Sequence, residues 1–303
     1  MSGGRVVVVG LSCLFLGSAV AVAVATPPTL PFGPGERFDY DLSALGTSAG
    51  KLKIGVIDQG QYNGKTLMSL AAKLEPAGLV KVFWEGESRR TAFLDTSSLT
   101  PLRVIDVEEN RDQIWKTQID FDGIGGAVIT RIGANKKDGS DIVSRRSIPL
   151  GALDALSGLY KLRSKAIVVG DAMVLDLLDD GRLYQIDIKA DRREKVHTVL
   201  GDREAFVLVL EGRKVAPKPA RPKGKIPEAA VSGGAVASAG TAVPTTATPT
   251  PASAPASAPA PKPADITASI WLSSDSERIP LKFEISASKA SFTGTLVDYV
   301  ATP

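Results

Sequence analysis

Along most of this chain apolar and polar residues alternate in short runs, and the runs are separated by turn residues. Phe38-Asp39-Tyr40-Asp41-Leu42 and Leu52-Lys53-Ile54-Gly55-Val56 have the two-residue period of strands with one face buried. Asn63-Gly64 supplies a tight turn before Thr66 to Leu70, and Asp179-Asp180-Gly181 joins Met173 to Leu178 with Leu183 to Ala190 as a hairpin. Further strands are predicted over Arg103 to Glu108, Ile114 to Phe121, Ala127 to Ile132, Ala205 to Glu211, Ile266 to Leu272, Pro280 to Ser286 and Phe292 to Tyr299. One segment departs from this period. Within Ala152 to Ser164 the residues Leu153, Leu156 and Tyr160 share a helical face, which suits a helix covering the apolar side of a sheet. Gly78 to Trp84 is a weaker helical segment. The predicted fold is mainly β, a β-rich α+β chain: one strongly curved antiparallel sheet or open half-barrel, with one or two helices across its concave face.

Two stretches stand apart. From about 216 to 264 the chain is rich in proline, alanine and threonine and has almost no large apolar side chains, so burial cannot offset the entropy of ordering it. Strand-like sequence resumes at Ile266, which predicts a disordered insertion between two strands of a single domain spanning 26–303. The competing reading is a spacer or docking tether. At the N-terminus, Arg5 precedes an apolar run from Val6 to Val24 that closes on Ala23-Val24-Ala25, the pattern of a secretory signal at 1–25 cut after Ala25. The expectation is an exported, periplasmic chain with no stable transmembrane segment after cleavage. An uncleaved anchor is the alternative, since about 20 apolar residues span a bilayer. Lipidation at Cys13 fits poorly, because Gly10 stands where lipoprotein signals carry a leucine-type residue.

Composition removes several chemistries. Cys13 is the only cysteine, so the mature chain would have neither a disulfide nor a nucleophilic thiol. His197 is the only histidine, which rules out multi-histidine metal sites, and no Gly-x-Ser-x-Gly turn presents a nucleophile. Lysine and arginine number 36 against 33 acidic residues, and loss of Arg5 would lower the net charge from +3 to +2. The basic residues are interspersed with acidic ones, as in Asp191-Arg192-Arg193-Glu194, so no nucleic-acid partner is expected. Asp122-Gly123-Ile124-Gly125-Gly126 lies between two strand patterns with no helix after it, so it predicts a hairpin loop and not a phosphate cradle. No catalytic, metal or cofactor residues emerge. A carboxylate-based hydrolase is left only as an unmotivated alternative.

A curved sheet closed by a helix can enclose an apolar space. Phe83, Trp84, Trp115, Leu153, Leu156, Tyr160 and Trp271 are the candidates for lining it or for the helix-sheet contact, against ordinary core packing of the aromatics. Several segments together resemble a bacterial envelope family known as domain of unknown function 3108. They are Phe32-Gly-Pro-Gly-Glu36-Arg-Phe-Asp-Tyr-Asp-Leu42, Ala49-Gly-Lys-Leu-Lys-Ile54, Leu99-Thr-Pro-Leu-Arg103, Asp154-Ala-Leu-Ser157-Gly-Leu-Tyr160-Lys-Leu-Arg163, Gly201-Asp-Arg-Glu-Ala-Phe206 and Ile270-Trp-Leu-Ser-Ser-Asp-Ser-Glu-Arg-Ile-Pro280. The resemblance runs from about Phe32 to Tyr299, the proline-rich insertion apart. It implies an exported, β-rich envelope domain, no activity, and a signature helix bearing Asp154, Ser157, Tyr160 and Arg163 that docks onto the sheet. The plan is also similar to that of periplasmic lipoprotein carriers, an analogy of fold alone.

Two functions follow as expectations. The first is a non-enzymatic envelope protein holding a lipid or other apolar ligand between sheet and helix. The second is a structural or adaptor module that contacts an envelope protein through its sheet edge or proline-rich loop.

Overall fold

The computed structural model describes residues 30–83, 86–110, 113–133, 139–216, 264–287 and 290–302. The signal-like segment with Cys13, the aromatic Trp84 and nearly all of the proline-rich segment lie outside these residues.

The strands are β1 (Arg37–Ala44), β2 (Thr47–Tyr62), β3 (Lys65–Pro76), β4 (Ser88–Asp95), β5 (Thr100–Asn110), β6 (Gln113–Phe121), β7 (Gly126–Ile132), β8 (Ile142–Ser147), β9 (Ala172–Asp179), β10 (Arg182–Thr198), β11 (Gly201–Lys214), β12 (Ile266–Ser273), β13 (Pro280–Ala287) and β14 (Ala290–Val300). Two helices interrupt them, α1 (Gly78–Phe83) and α2 (Ala155–Arg163). All 14 strands join one sheet in the order β8-β7-β6-β5-β4-β3-β2-β1-β14-β13-β12-β11-β10-β9. The sheet is therefore an antiparallel meander in two runs, β1 to β8 and β9 to β14, sewn together where β1 pairs with β14. Its two edges, β8 and β9, are consecutive in the chain but do not pair, so the barrel stays open. The segment joining them carries α2.

The turns follow their sequence chemistry. Asn63 and Gly64 both take positive φ, as do Asp180 and Gly181, which is what a two-residue hairpin matched to strand twist demands. The glycine-rich loop is a hairpin between β6 and β7, where Asp122 Oδ1 accepts the amides of Ile124 and Gly126, each at 2.8 Å. β-Bulges at Asp39/Tyr40, Val56/Asp58, Ala190/Arg192 and Trp271/Leu272 bend the strands and let so wide a sheet curl. On the concave side Phe38, Tyr40, Ile54, Met68, Leu70, Leu94, Val104, Ile119 and Ile129 are buried, and Leu156 and Tyr160 of α2 pack into the same cluster. β11 and β12 pair directly, with Gly212 opposite Ile266, so the proline-rich segment leaves and re-enters the sheet between neighbouring strands.

The structure alters three expectations and, of the one or two helices placed across the concave face, keeps one. The helix begins at Ala155, because Asp154 is its N-cap, and Leu153 is extended instead: it forms an isolated parallel bridge with Leu177 and covers part of the β9 edge. Only α2 lies across the concave face. α1 sits at the end of β2, where Ala77 N donates to Ala49 O at 2.9 Å. Two strands, β4 and β8, carry paired arginines (Arg89-Arg90 and Arg145-Arg146) that interrupt apolar alternation, and neither was predicted. β10 extends to Thr198, well past Ala190, because the bulge there restarts the pairing with β11.

Candidate functional site

Beneath α2 the sheet leaves an apolar groove of about 520 Å³, within the size range of small-molecule sites. Strand periodicity builds its wall. Leu175 and Leu177 on β9, Tyr184, Ile186 and Ile188 on β10, and Ile266, Ala268 and Ile270 on β12 occupy alternate positions and so point to one side. Leu52 and Ile54 on β2 and Phe283 and Ile285 on β13 complete the sheet side, while Ala155, Leu156, Gly158, Leu159 and Leu162 of α2 form the roof. Small residues line it on both sides, Ala72, Gly212 and Ala268 on the sheet and Ala155 and Gly158 on the helix, which leaves space between the larger side chains. Leu159, Leu175, Leu177, Tyr184, Ile270 and Phe283 are only partly buried, so the lining is open to solvent. Phe283 is held by its neighbour, since its ring lies across Gly294 of β14 in the space a side chain there would take.

One end of the groove is charged. Arg90 and Asp179 both line it. Arg90 binds Asp106 through a fork, Nε to Oδ1 at 2.5 Å and Nη2 to Oδ2 at 3.0 Å, and reaches Asp179 Oδ1 at 2.6 Å. Burial alone would lower the arginine's pKa, but the two carboxylates hold it well above its ordinary value. Next to it, Arg131 Nη2 donates to Asp180 Oδ1 at 2.9 Å. These pairs tie the tip of the β9-β10 hairpin to β4 and β7 across the concave face. Glu108 lies close by, its carboxyl raised by burial and by the charges of Asp106 and Asp180.

The helix that roofs the groove is fixed by its polar residues. Asp154, Ser157, Tyr160 and Arg163 are all fully buried. Asp154 accepts Leu156 N at 2.9 Å, Ser157 N at 3.3 Å and the Ser157 hydroxyl, which satisfies the first turn's orphan amides. Arg163 donates Nη1 to Glu36 Oε2 at 2.6 Å, Nη2 to Glu36 Oε1 at 2.7 Å, and Nε and Nη2 to the carbonyls of Arg278 and Glu277, each at 3.1 Å. Its guanidinium lies 4.9 to 5.1 Å from the ring centres of Phe32, Phe38 and Tyr160. Burial lowers the Arg163 pKa and the Glu36 carboxylate more than offsets this, leaving it above its ordinary value. One side chain thus staples α2 to the segment before β1 and to the β12-β13 turn.

Of the residues expected at the cavity, Leu156 lines the groove, while Leu153 and Tyr160 pack beside it in the core. Trp271 does not reach it. Ile270 points into the groove, so Trp271 takes the other face, where its indole donates to Glu194 at 2.5 Å and Lys282 Nζ stands 4.5 Å from the ring centre. Trp115 shares a sheet face with the buried Ile119, yet it lies beyond the covered part of β6 and is 45% exposed. Phe83 ends α1, of which only the backbone is described at that position. The sequence points to neither Glu36 nor Arg90 as a site residue and assigns Asp179 only to a hairpin turn. Glu36 stood within the quoted Phe32 to Leu42 segment, but nothing local assigned it a partner.

A second recess, about 1150 Å³, lies at the opposite end among the β2-β3, β4-β5 and β6-β7 turns. Its polar groups serve one another: Asp95 takes Ser97 N at 2.9 Å, Ser97 Oγ at 2.6 Å and Lys65 Nζ at 3.1 Å, and Ser98 bonds Thr100 at 2.6 Å. His197 is an exposed strand-end residue, 2.8 Å from Asp202. Among the described residues no helix is long and apolar enough to cross a membrane, and no group of three or more His, Cys, Asp or Glu residues is placed to hold a metal ion.

Comparison with known proteins gives a family and little else. A family model described as protein of unknown function (DUF3108) matches residues 39–218. No curated protein matches the chain. Among solved structures, a beta-barrel-like protein of domain of unknown function DUF1849 from Brucella abortus is similar at TM-score 0.47 and 10% identity, over 89% of this chain and 98% of that one.

Proposed function

We propose that this chain, which belongs to the DUF3108 family, is a non-enzymatic binding protein that holds an apolar or lipid-like ligand in the groove between α2 and the sheet. The observation that carries the reading is the groove's lining. Leucine and isoleucine from seven elements converge on it, small residues keep it from being filled, and its charged groups are confined to one end. Leaving those side chains half-exposed forgoes roughly 25 cal/mol for each Å² of apolar area, which an apolar ligand would recover. The cell envelope is the proposed place of action, on the strength of the signal-like segment at 1–25.

The test is binding of N-phenyl-1-naphthylamine, a neutral apolar dye that fluoresces out of water, to the wild type and to Ala268→Trp. The indole would occupy the groove from β12 without removing any core side chain. The reading requires bright, saturable fluorescence in the wild type and its loss in a variant with an undiminished urea midpoint. Equal dye binding by both proteins would remove the groove from the account.

A second reading, an adaptor module, is favoured by one feature. Among the described residues β8 has a single neighbour, β7, and so presents an edge to which another chain could add a strand. The proline-rich alternative for the same role concerns residues outside those described.

A further inference from the structure

Granting that the groove binds an amphiphile, we infer that it selects ligands whose polar end carries an ammonium group and discriminates against anionic ends. The inference rests on how Arg90, the cation in the groove's lining, is already committed. Asp106 occupies its Nε/Nη2 fork in the bidentate geometry that a ligand carboxylate or phosphate would need, and Asp179 takes a further bond from Nη2. The end wall formed by these residues carries one guanidinium and two carboxylates, a net charge of −1. Counting the neighbours does not change its sign: Arg131 is paired with Asp180, and Glu108 offsets the exposed Arg182 that stands across the hairpin from Asp179.

A ligand lying along Leu159, Leu177 and Ile270 would bring its polar end to this wall, where the half-exposed Asp179 is the acceptor within reach. An ammonium can join Asp179 without breaking any existing bond. An anionic end must displace a carboxylate from Arg90 or approach a net negative wall. Attraction and repulsion of this kind, in a partly desolvated site, translate into affinity differences of about tenfold or more.

The experiment displaces N-phenyl-1-naphthylamine from the full chain with decylammonium, decanol and decanoate, which share one apolar chain and differ in charge. The expected result is half-displacement by decylammonium at a concentration about tenfold below that needed for decanoate, with decanol between them. Asp179→Asn and Asp106→Asn should each narrow that ratio, moving decylammonium and decanoate in opposite directions relative to decanol. The decanol control reports on folding of the groove independently of charge. If decanoate equals or outcompetes decylammonium, the charge inference is overturned and the groove reading survives. If none of the three displaces the dye, the groove reading fails with it.

Discussion

Arg163 and Glu36, 127 residues apart in sequence, meet through two parallel hydrogen bonds at 2.6 and 2.7 Å with both side chains wholly out of solvent. A pair this deeply buried is costly to break by halves, because the remaining charge has neither water nor a partner. Glu36→Gln should therefore destabilise the protein by about 3–5 kcal/mol, and Glu36→Leu combined with Arg163→Met should recover most of that loss. Urea unfolding of Glu36→Gln, of the single variants Glu36→Leu and Arg163→Met, and of the double variant checks this. A double variant no more stable than the singles would mean that the carbonyls of Glu277 and Arg278 and the aromatic rings, not the ion pair, hold the helix.

The helix's other end gives a pH dependence of definite sign. Burial raises the Asp154 carboxyl above its ordinary 3.8, against the opposing pull of Ser157, Arg90 and the cap amides. The folded protein thus retains this proton at pH values where the unfolded chain has released it. The contribution to stability is full below the ordinary aspartate value and declines as pH rises through the window above it. Asp154→Asn keeps an acceptor for the cap and abolishes the titration, so the wild type should lose stability relative to this variant as pH rises. Urea midpoints of both proteins across that range test it, and a wild type that gains on the variant contradicts it. Asp154→Ala, which has no acceptor, should cost about 1–2 kcal/mol as a lost cap, and more through the stranded Ser157 hydroxyl.

Phe283 and Gly294 form a cross-strand pair in which the ring covers the glycine. A methyl group at 294 would meet the ring directly, so Gly294→Ala should displace Phe283 into the groove it lines. The expected outcome is a loss of about 1–3 kcal/mol from overpacking together with weakened binding of N-phenyl-1-naphthylamine. Unchanged dye binding in a folded variant would show that Phe283 has room to turn elsewhere.

Most of the sheet was legible because strands buried on one face write their period into sequence, as Phe38 to Leu42 and Ile266 to Leu272 do. β4 and β8 were illegible for a related reason. Arg90 faces the concave side and is tolerated there only because Asp106 on the next strand and Asp179, 89 residues on, pair with it. The helix's polar stripe was visible in the family resemblance, but its partners across the fold were not. Buried ionic partners separated by more than a hundred residues leave no local pattern. Trp271 was misplaced toward the cavity because strand parity, which turns Ile270 to the groove and buries Trp271 on the opposite face of β12, was weighed less than side-chain size.

The exposed position of Trp115 gives a negative control. Trp115→Phe should leave dye binding as it is and change unfolding free energy by no more than about 0.5 kcal/mol, the usual range for surface substitutions. Impaired dye binding would extend the groove along β6.

The central claim is that the space beneath α2 is occupied by an apolar ligand when the protein is at work. Native mass spectrometry of the full chain, purified gently from its own cells, tests this most directly. The expected spectrum contains a noncovalent adduct that organic extraction removes and that the Ala268→Trp variant lacks. A wild-type spectrum showing only the bare polypeptide, or an adduct carried equally by the groove-filled variant, would contradict it.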